Sequence, residues 1–284
     1  MSMIKTNEKL TILHDDNSSF TEYSDELLQF DRDTASVTMV AAEDFIYIGF
    51  YKPINSFYVE MGTANTNAAS LSVKYYNGSA FTAVSNQFDD TKGFNRNGYI
   101  RWDRKIDDSS NLEAKTTINS SEKYWYQIAI SADSSAMVFN GLNIVFSDDQ
   151  DLKRVLFEYD KYLPSGETSH ILSHVAARDE IVQTLNLQGK YKVNAVNGRY
   201  KDISAFDLLD ISEVKLASTY LVLSSIFMSV SDQVDDQYLQ KSQLYRTMYN
   251  KIINVMKLSI DEDDDGKQDK SERNAINYGF VTRL

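Results

Sequence analysis

Near the C-terminus, Asp261, Asp263, Asp265, Lys267, Asp269 and Glu272 stand at positions 1, 3, 5, 7, 9 and 12 of one twelve-residue run, with Gly266 at position 6. This is the spacing of an EF-hand-type calcium loop. Calcium takes six to eight oxygens, and alternate carboxylates on a tightly turned loop wrap around one point. Gly266 permits the turn, Lys267 would offer its backbone carbonyl, Asp269 would bind directly or through water, and Glu272 could close the site with both oxygens. Position 8 is Gln268, where paired loops carry an aliphatic residue, and the chain holds no second loop. A single structural calcium site is therefore expected rather than a sensor. The competing reading is a solvated acidic turn. Seven carboxylates in twelve residues repel one another unless a cation neutralises them, which favours the ion.

Other groups are less specific. His170 and His174 lie four apart on a predicted helix, a spacing that can chelate zinc; Ile171 stands where a metalloprotease would need its general base, and an exposed or interface helix face is the simpler expectation. Trp102 and Trp125 could stack on sugars or sit in a core. The acid pairs Asp89-Asp90, Asp107-Asp108 and Asp148-Asp149 read as solvated loops. There is no nucleophile elbow, phosphate loop or dinucleotide fingerprint, so no enzyme is expected and no catalytic or cofactor-binding residue is assigned.

The elements that must carry these groups fall into two grammars. Up to about residue 150, short aromatic-rich runs such as Phe45 to Tyr51, Ser56 to Met61, Leu71 to Tyr76, Tyr99 to Trp102 and Tyr124 to Ile130 are separated by turn signals. Asn77-Gly78 predicts a tight hairpin, and Asn97-Gly98 and Asn140-Gly141 predict further turns. An antiparallel β-sandwich, jelly-roll or immunoglobulin-like, is expected over residues 1–150. From 151 to 260 the apolar period becomes three to four. One helix is predicted from Thr168 to Leu187, capped by Gly189. A second should open with an Asp210/Glu213 capping box and run to about Val230, and a third should span Asp236 to Leu258. Tyr191 to Tyr200 can form a small hairpin. The second helix is apolar around most of its circumference, which implies burial on several sides or contact with another subunit. The fold class expected is α+β in two domains: a sandwich, then a small helical bundle, the calcium loop at 261–272 and an extended tail at 273–284.

The chain has 284 residues, no cysteine and a formal net charge of −12. Without cysteine there is no disulfide framework and no thiolate chemistry. The acidity disfavours general affinity for nucleic acid. It is also uneven: residues 1–150 hold 21 acids and 12 bases, whereas 151–284 hold 20 and 17. Seven of those 20 acids lie between Asp261 and Glu272. Polar and charged residues from Met1 to Leu10 leave no apolar stretch for an export signal, and Tyr220 to Val230 is too short to span a bilayer. A soluble, non-exported protein without membrane contact is expected.

The run Asn65 to Val84 with its Tyr76-Asn77-Gly78-Ser79 turn, followed by Tyr99 to Trp102 and Tyr124 to Ile128, resembles a β-sandwich module of tailed-bacteriophage virion proteins. Ala176 to Leu185, Asp207 to Asp210 with the helix that follows, the tyrosine-rich third helix, the loop from Ile260 to Asp269 and the ending Thr282-Arg283-Leu284 resemble phage head-to-tail connector (neck adaptor) proteins. The resemblance implies a homo-oligomeric ring, commonly of twelve copies, that joins portal to tail or collar proteins within the virion after assembly in the host cytoplasm. DNA would pass through such a ring without sequence-specific binding. The alternative is a phage tail or baseplate protein whose sandwich binds host surface glycans.

Overall fold

The computed structural model describes residues 9–30, 33–103, 113–189, 193–194, 200–231 and 237–260. The architecture is mixed α+β, and the chain divides into two compact units, Met1–Ile144 and Val145–Leu284.

The first unit contains β1 (Thr11–Asp16), β2 (Ser19–Glu22), the short helix α1 (Ser24–Leu27), β3 (Ala35–Val37), β4 (Phe45–Phe50), β5 (Ser56–Thr63), β6 (Leu71–Tyr76), β7 (Phe81–Ala83), β8 (Ser85–Asp89), β9 (Gly98–Asp103), β10 (Lys115–Ile118), β11 (Ser121–Ile130) and β12 (Met137–Asn143). One sheet has the order β2-β1-β4-β11-β6-β7, with β10 paired to β11; the other runs β3-β12-β5-β9-β8. Every pairing is antiparallel. β4 pairs with β11 in the first sheet and β5 with β12 in the second. The chain therefore crosses between sheets at both the β4–β5 and β11–β12 connections. Alternation explains the core: Leu71, Val73 and Tyr75 are buried between half-exposed neighbours. The sheets meet where the Trp102 and Tyr126 rings lie 4.9 Å apart and the Tyr126 hydroxyl accepts a 2.9 Å bond from the Ile54 amide.

Turn chemistry departs from the sequence expectation. The tight two-residue hairpins are Asn17-Ser18 and Asn119-Ser120, where both residues of each pair have positive φ and the flanking residues Asp16↔Ser19 and Ile118↔Ser121 are paired. Positive φ at both central positions matches the right-handed twist of the strands, and asparagine tolerates it. At Asn77-Gly78 only Gly78 has positive φ (95°). The loop there is wider, spanning 77–80, and the Asn77 side chain accepts from the amides of Ser79 and Ala80 at 3.0 and 2.9 Å. Asn97-Gly98 leads directly into β9. Asn140-Gly141 is no turn at all: it lies inside β12, at a register shift against β5. Gly141 is required because a Cβ there would come within 2.0 Å of the Phe30 ring.

The second unit contains α2 (Asp149–Val155), α3 (Ile171–Gln188), a two-residue pair β13 (Val193–Asn194) and β14 (Tyr200–Lys201), α4 (Ser212–Ser229) and α5 (Gln237–Val255). α3 ends, as expected, on Gly189 in the left-handed conformation, φ 61°. α4 is the central helix, burying Val214, Ala217, Leu221, Val222, Leu223, Ile226 and Phe227. The close approach of α5 depends on small residues: the Ser242 hydroxyl donates to the Ser224 carbonyl at 2.8 Å and Ser224 returns a 3.0 Å bond. One turn on, the Phe227 ring is stacked on Tyr245 and Tyr238.

The start of α4 is a correction. No Asp210/Glu213 capping box forms. Ile211 is the N-cap residue without a side-chain bond, and Asp210 accepts from the Ser212 amide at 2.8 Å. The Glu213 carboxylate is engaged elsewhere, holding the chain at Ser259.

Candidate functional site

Asp261, Asp263, Asp265, Lys267, Asp269 and Glu272 all lie outside the described residues, as do Asp107-Asp108 and, within the expected hairpin Tyr191 to Tyr200, residues 191–192 and 195–199. What is described is the point from which the acidic loop departs. Ser259 donates from its amide to Glu213 Oε2 at 2.7 Å and from its hydroxyl to Oε1 at 2.8 Å. The Leu209 amide donates to the Ser259 carbonyl at 2.9 Å, and Ile260 forms an antiparallel bridge with Leu208. Leu258 and Ile260 are buried. A short strand-like clamp therefore fixes the residue immediately before Asp261 against the start of α4. Charge-assisted bonds of this kind exceed neutral ones in strength.

The two histidines are neither an exposed face nor a chelate. Both are buried, and their ring nitrogens are engaged with separate groups. His170 Nε2 lies 3.2 Å from the Tyr159 carbonyl. His174 Nε2 lies 3.2 Å from Asp149 Oδ1, and its Nδ1 lies 2.8 Å from the Ser147 hydroxyl. Ser147 Oγ is in turn 2.7 Å from Ser218 Oγ. Burial lowers the His170 pKa, opposed by its bond to Tyr159 and by Asp149. Among the described residues no group of three or more histidines or carboxylates is arranged to hold a metal ion.

Ser147, His174 and Asp149 thus carry the wiring of a nucleophile, a base and an orienting acid. With its proton on Nε2, facing Asp149, the imidazole can accept from Ser147 through Nδ1. Chemistry would require a carbonyl carbon to reach Ser147 Oγ. Ser147 and Ser218 have 0% exposure and His174 only 1%. In this conformation the relay is sealed, and what it does is satisfy buried polar atoms. It ties the entrance of α2 to α3 and α4.

Asp148 and Asp149 are likewise not a solvated loop. Asp148 is buried and caps α2, accepting from the amides of Gln150 (2.9 Å) and Asp151 (3.1 Å), while Asp151 Oδ2 returns a bond to the Asp148 amide. Asp151 also receives Lys215 Nζ at 3.1 Å. The solvated-loop expectation missed this box, whose signal is Asp-x-x-Asp before Leu152; no sequence signal joins Ser147 to Ser218, 71 residues away. Asp89, by contrast, builds its turn by accepting from Thr91 and Gly93, and Asp90 pairs with Arg96.

Burial, with the Asp151 carboxylate second, holds the Asp148 carboxyl above its ordinary value. A raised folded pKa means that the proton is favoured in the native state. The associated stability is fully present below the unfolded value and is lost as pH rises through the folded one. Asp148→Asn keeps an oxygen acceptor for the cap and cannot ionise. It should match or exceed the wild type in stability at pH 7, with that advantage shrinking as pH falls toward 4. Asp148→Ala should lose about 0.5–2 kcal/mol with the cap. Urea melts at pH 4 and 7 test both; an Asn variant less stable than Ala would contradict the assignment.

Trp102 and Trp125 have 4% and 1% exposure. Trp125 lies over Gly49, where a Cβ would come within 2.5 Å of its ring, and its Nε1 donates to the Ser121 carbonyl at 3.1 Å. Both are core residues, so neither offers a face to a sugar.

No protein-family model matches the chain, and no curated protein sequence matches it. Among solved structures, a family 89 glycoside hydrolase from Clostridium perfringens, in complex with 2-acetamido-1,2-dideoxynojirmycin, is similar at 14% identity and a TM-score of 0.26. The match covers 68% of this chain and 22% of that one. The chain thus spans about a fifth of that protein's length, and a likeness this slight carries no argument about fold or activity. No described helix is long and apolar enough to cross a membrane.

Proposed function

We propose that the protein is a structural component of a tailed-phage virion: a neck adaptor, without catalysis, whose copies form a ring joining the portal to tail or collar proteins. In this reading the segment 261–272 holds one structural calcium ion through Asp261, Asp263, Asp265, Lys267, Asp269 and Glu272. The ring passes DNA without reading its sequence, and the protein assembles in the host cytoplasm.

The observation that supports it is where apolar surface is left uncovered. Of eleven exposed large apolar side chains among the described residues, eight belong to the second unit. Phe157, Leu187 and Val255 are exposed by 78, 81 and 78%. Burying such a side chain is worth about 1.5–3 kcal/mol, so a unit that leaves several in water is suited to association with other chains. The clamp at Ser259 gives the reading its second support, since it would fix the first calcium ligand in direction. The glycan-binding alternative loses the two tryptophans that motivated it.

Electron microscopy and native mass of the purified full-length chain test the proposal. A closed ring is expected, and a monomer at tens of micromolar protein would sink it.

A further inference from the structure

We propose that the outer face of α5 is the surface through which one copy of this chain grips the next, by contact with a carboxylate-bearing surface of that neighbour. The identity of the partner as a second copy rests on the ring reading above; the location of the contact rests on α5 itself.

α5 has two stripes. One, formed by Ser242, Tyr249 and Ile253, is buried. The other is Lys241, Leu244, Met248, Lys251 and Val255, spaced three, four, three and four residues apart. That is the spacing of a helix seam made to meet another surface along its length. Lys241 and Lys251 are exposed, Met248 is half-exposed, and Leu244 and Val255 are 52 and 78% exposed. The seam is therefore apolar at three of its five positions and still faces solvent.

Charge identifies what fits it. α5 carries Lys241, Arg246 and Lys251 and no carboxylate in its 19 residues, although the whole chain stands at −12. Without those three charges the remainder is at −15. Arg246 is already paired with Glu180 and lies over the Tyr249 ring, and the exposed Lys241 rests its ammonium over the Phe227 and Tyr238 rings, whereas the Lys251 ammonium has no carboxylate within reach among the described residues. Packing α5 against α5 about a twofold axis would bring cation to cation. Packing it against the N-terminal half of a second copy, where residues 1–150 hold 21 acids against 12 bases, favours cation meeting carboxylate. The contact is then heterologous, a different patch on each partner, and repetition of a heterologous contact closes a ring or extends a filament. Leu244, Met248 and Val255 supply apolar area, and the lysines select the partner face.

The test compares full-length wild type, Lys241→Glu/Lys251→Glu and Leu244→Asp by sedimentation velocity at 50 and 500 mM salt, with melting curves as a folding control. Leu244→Asp changes an exposed position and should keep the wild-type melting temperature. Lys241→Glu also gives up the contact with the Phe227 and Tyr238 rings, so Lys251→Glu alone is measured beside the double reversal to separate lost assembly from lost stability. Association should weaken at least tenfold in the double reversal, and wild-type assembly should weaken at high salt. Lys241→Arg/Lys251→Arg should assemble as wild type does. If wild type assembles and both disruptive variants assemble equally well, the α5 assignment is overturned while the ring reading stands. If wild type is monomeric, both fall. If wild type binds duplex DNA through these lysines while assembly is indifferent to them, α5 is a nucleic-acid surface and the proposal is overturned.

Discussion

His174→Ala should lower the stability of the chain by about 3 kcal/mol or more, read as a fall in the urea midpoint. The figure combines two lost hydrogen bonds with a cavity. Ser147 keeps Ser218 and the half-buried Asp149 keeps the His170 amide, so each bond lost to the ring costs about 0.5–1.5 kcal/mol. The missing ring also leaves a cavity among Ser147, Ser218 and Asp149. Ser147→Ala and Ser218→Ala should show coupling. Ser147→Ala takes the partner from both the imidazole Nδ1 and the Ser218 hydroxyl, whereas Ser218→Ala leaves Ser147 bonded to His174. Once Ser147 is alanine, removing the Ser218 hydroxyl only removes a group already without that bond, so the double change should cost less than the sum of the singles. A fluorophosphonate should not label folded wild-type chain at Ser147, because no path to its oxygen is open. An unshifted midpoint for His174→Ala would show that the network is not holding α2, α3 and α4 together. Stoichiometric labelling would show that the sealed relay opens.

Saturating calcium should raise the stability of the wild type by about 2.7 kcal/mol when its concentration is a hundred times Kd. Asp261→Ala should abolish that gain. The more telling variant is Glu213→Ala, which changes no proposed ligand. It releases the amide and hydroxyl of Ser259, two residues before Asp261, so binding must then include the cost of ordering the loop's approach. Calcium affinity should fall several-fold, and calorimetry should show a more unfavourable binding entropy. If wild type gives no calcium-dependent heat or melting shift, the site is wrong. If Glu213→Ala binds as tightly as wild type, the site stands and the clamp is irrelevant to it.

What could be read from the sequence was local and periodic. Strands β4, β5, β6, β9 and β11 announce themselves by aromatic alternation, and α3 by its apolar spacing and terminal Gly189. Reading failed where one residue type serves two geometries. Asn-Gly marks hairpins because glycine accepts positive φ, yet here Asn-Ser makes the tight turns and the Gly of Asn140-Gly141 exists to admit the Phe30 ring. Asp210 and Glu213 had capping spacing, but the tertiary partner Ser259 outcompetes the local amide. The buried relay was illegible for the same reason. Ser147 and Ser218 are ordinary residues in their own neighbourhoods, and only the fold brings them within 2.7 Å. The histidine pair looked like a surface feature because four-residue spacing gives a common face without saying which way that face points.

The clamp at Ser259 also has a mechanical meaning. A pull applied to the chain at Ile260 would load the Leu208–Ile260 bridge and the paired Glu213–Ser259 bonds. Tension would pass into the first turn of α4, the innermost helix, before it could peel α5 from its outer position. Ile260 is therefore tethered to the centre of the helical unit. The short clamp would act as the fuse that parts before the bundle is loaded along its length.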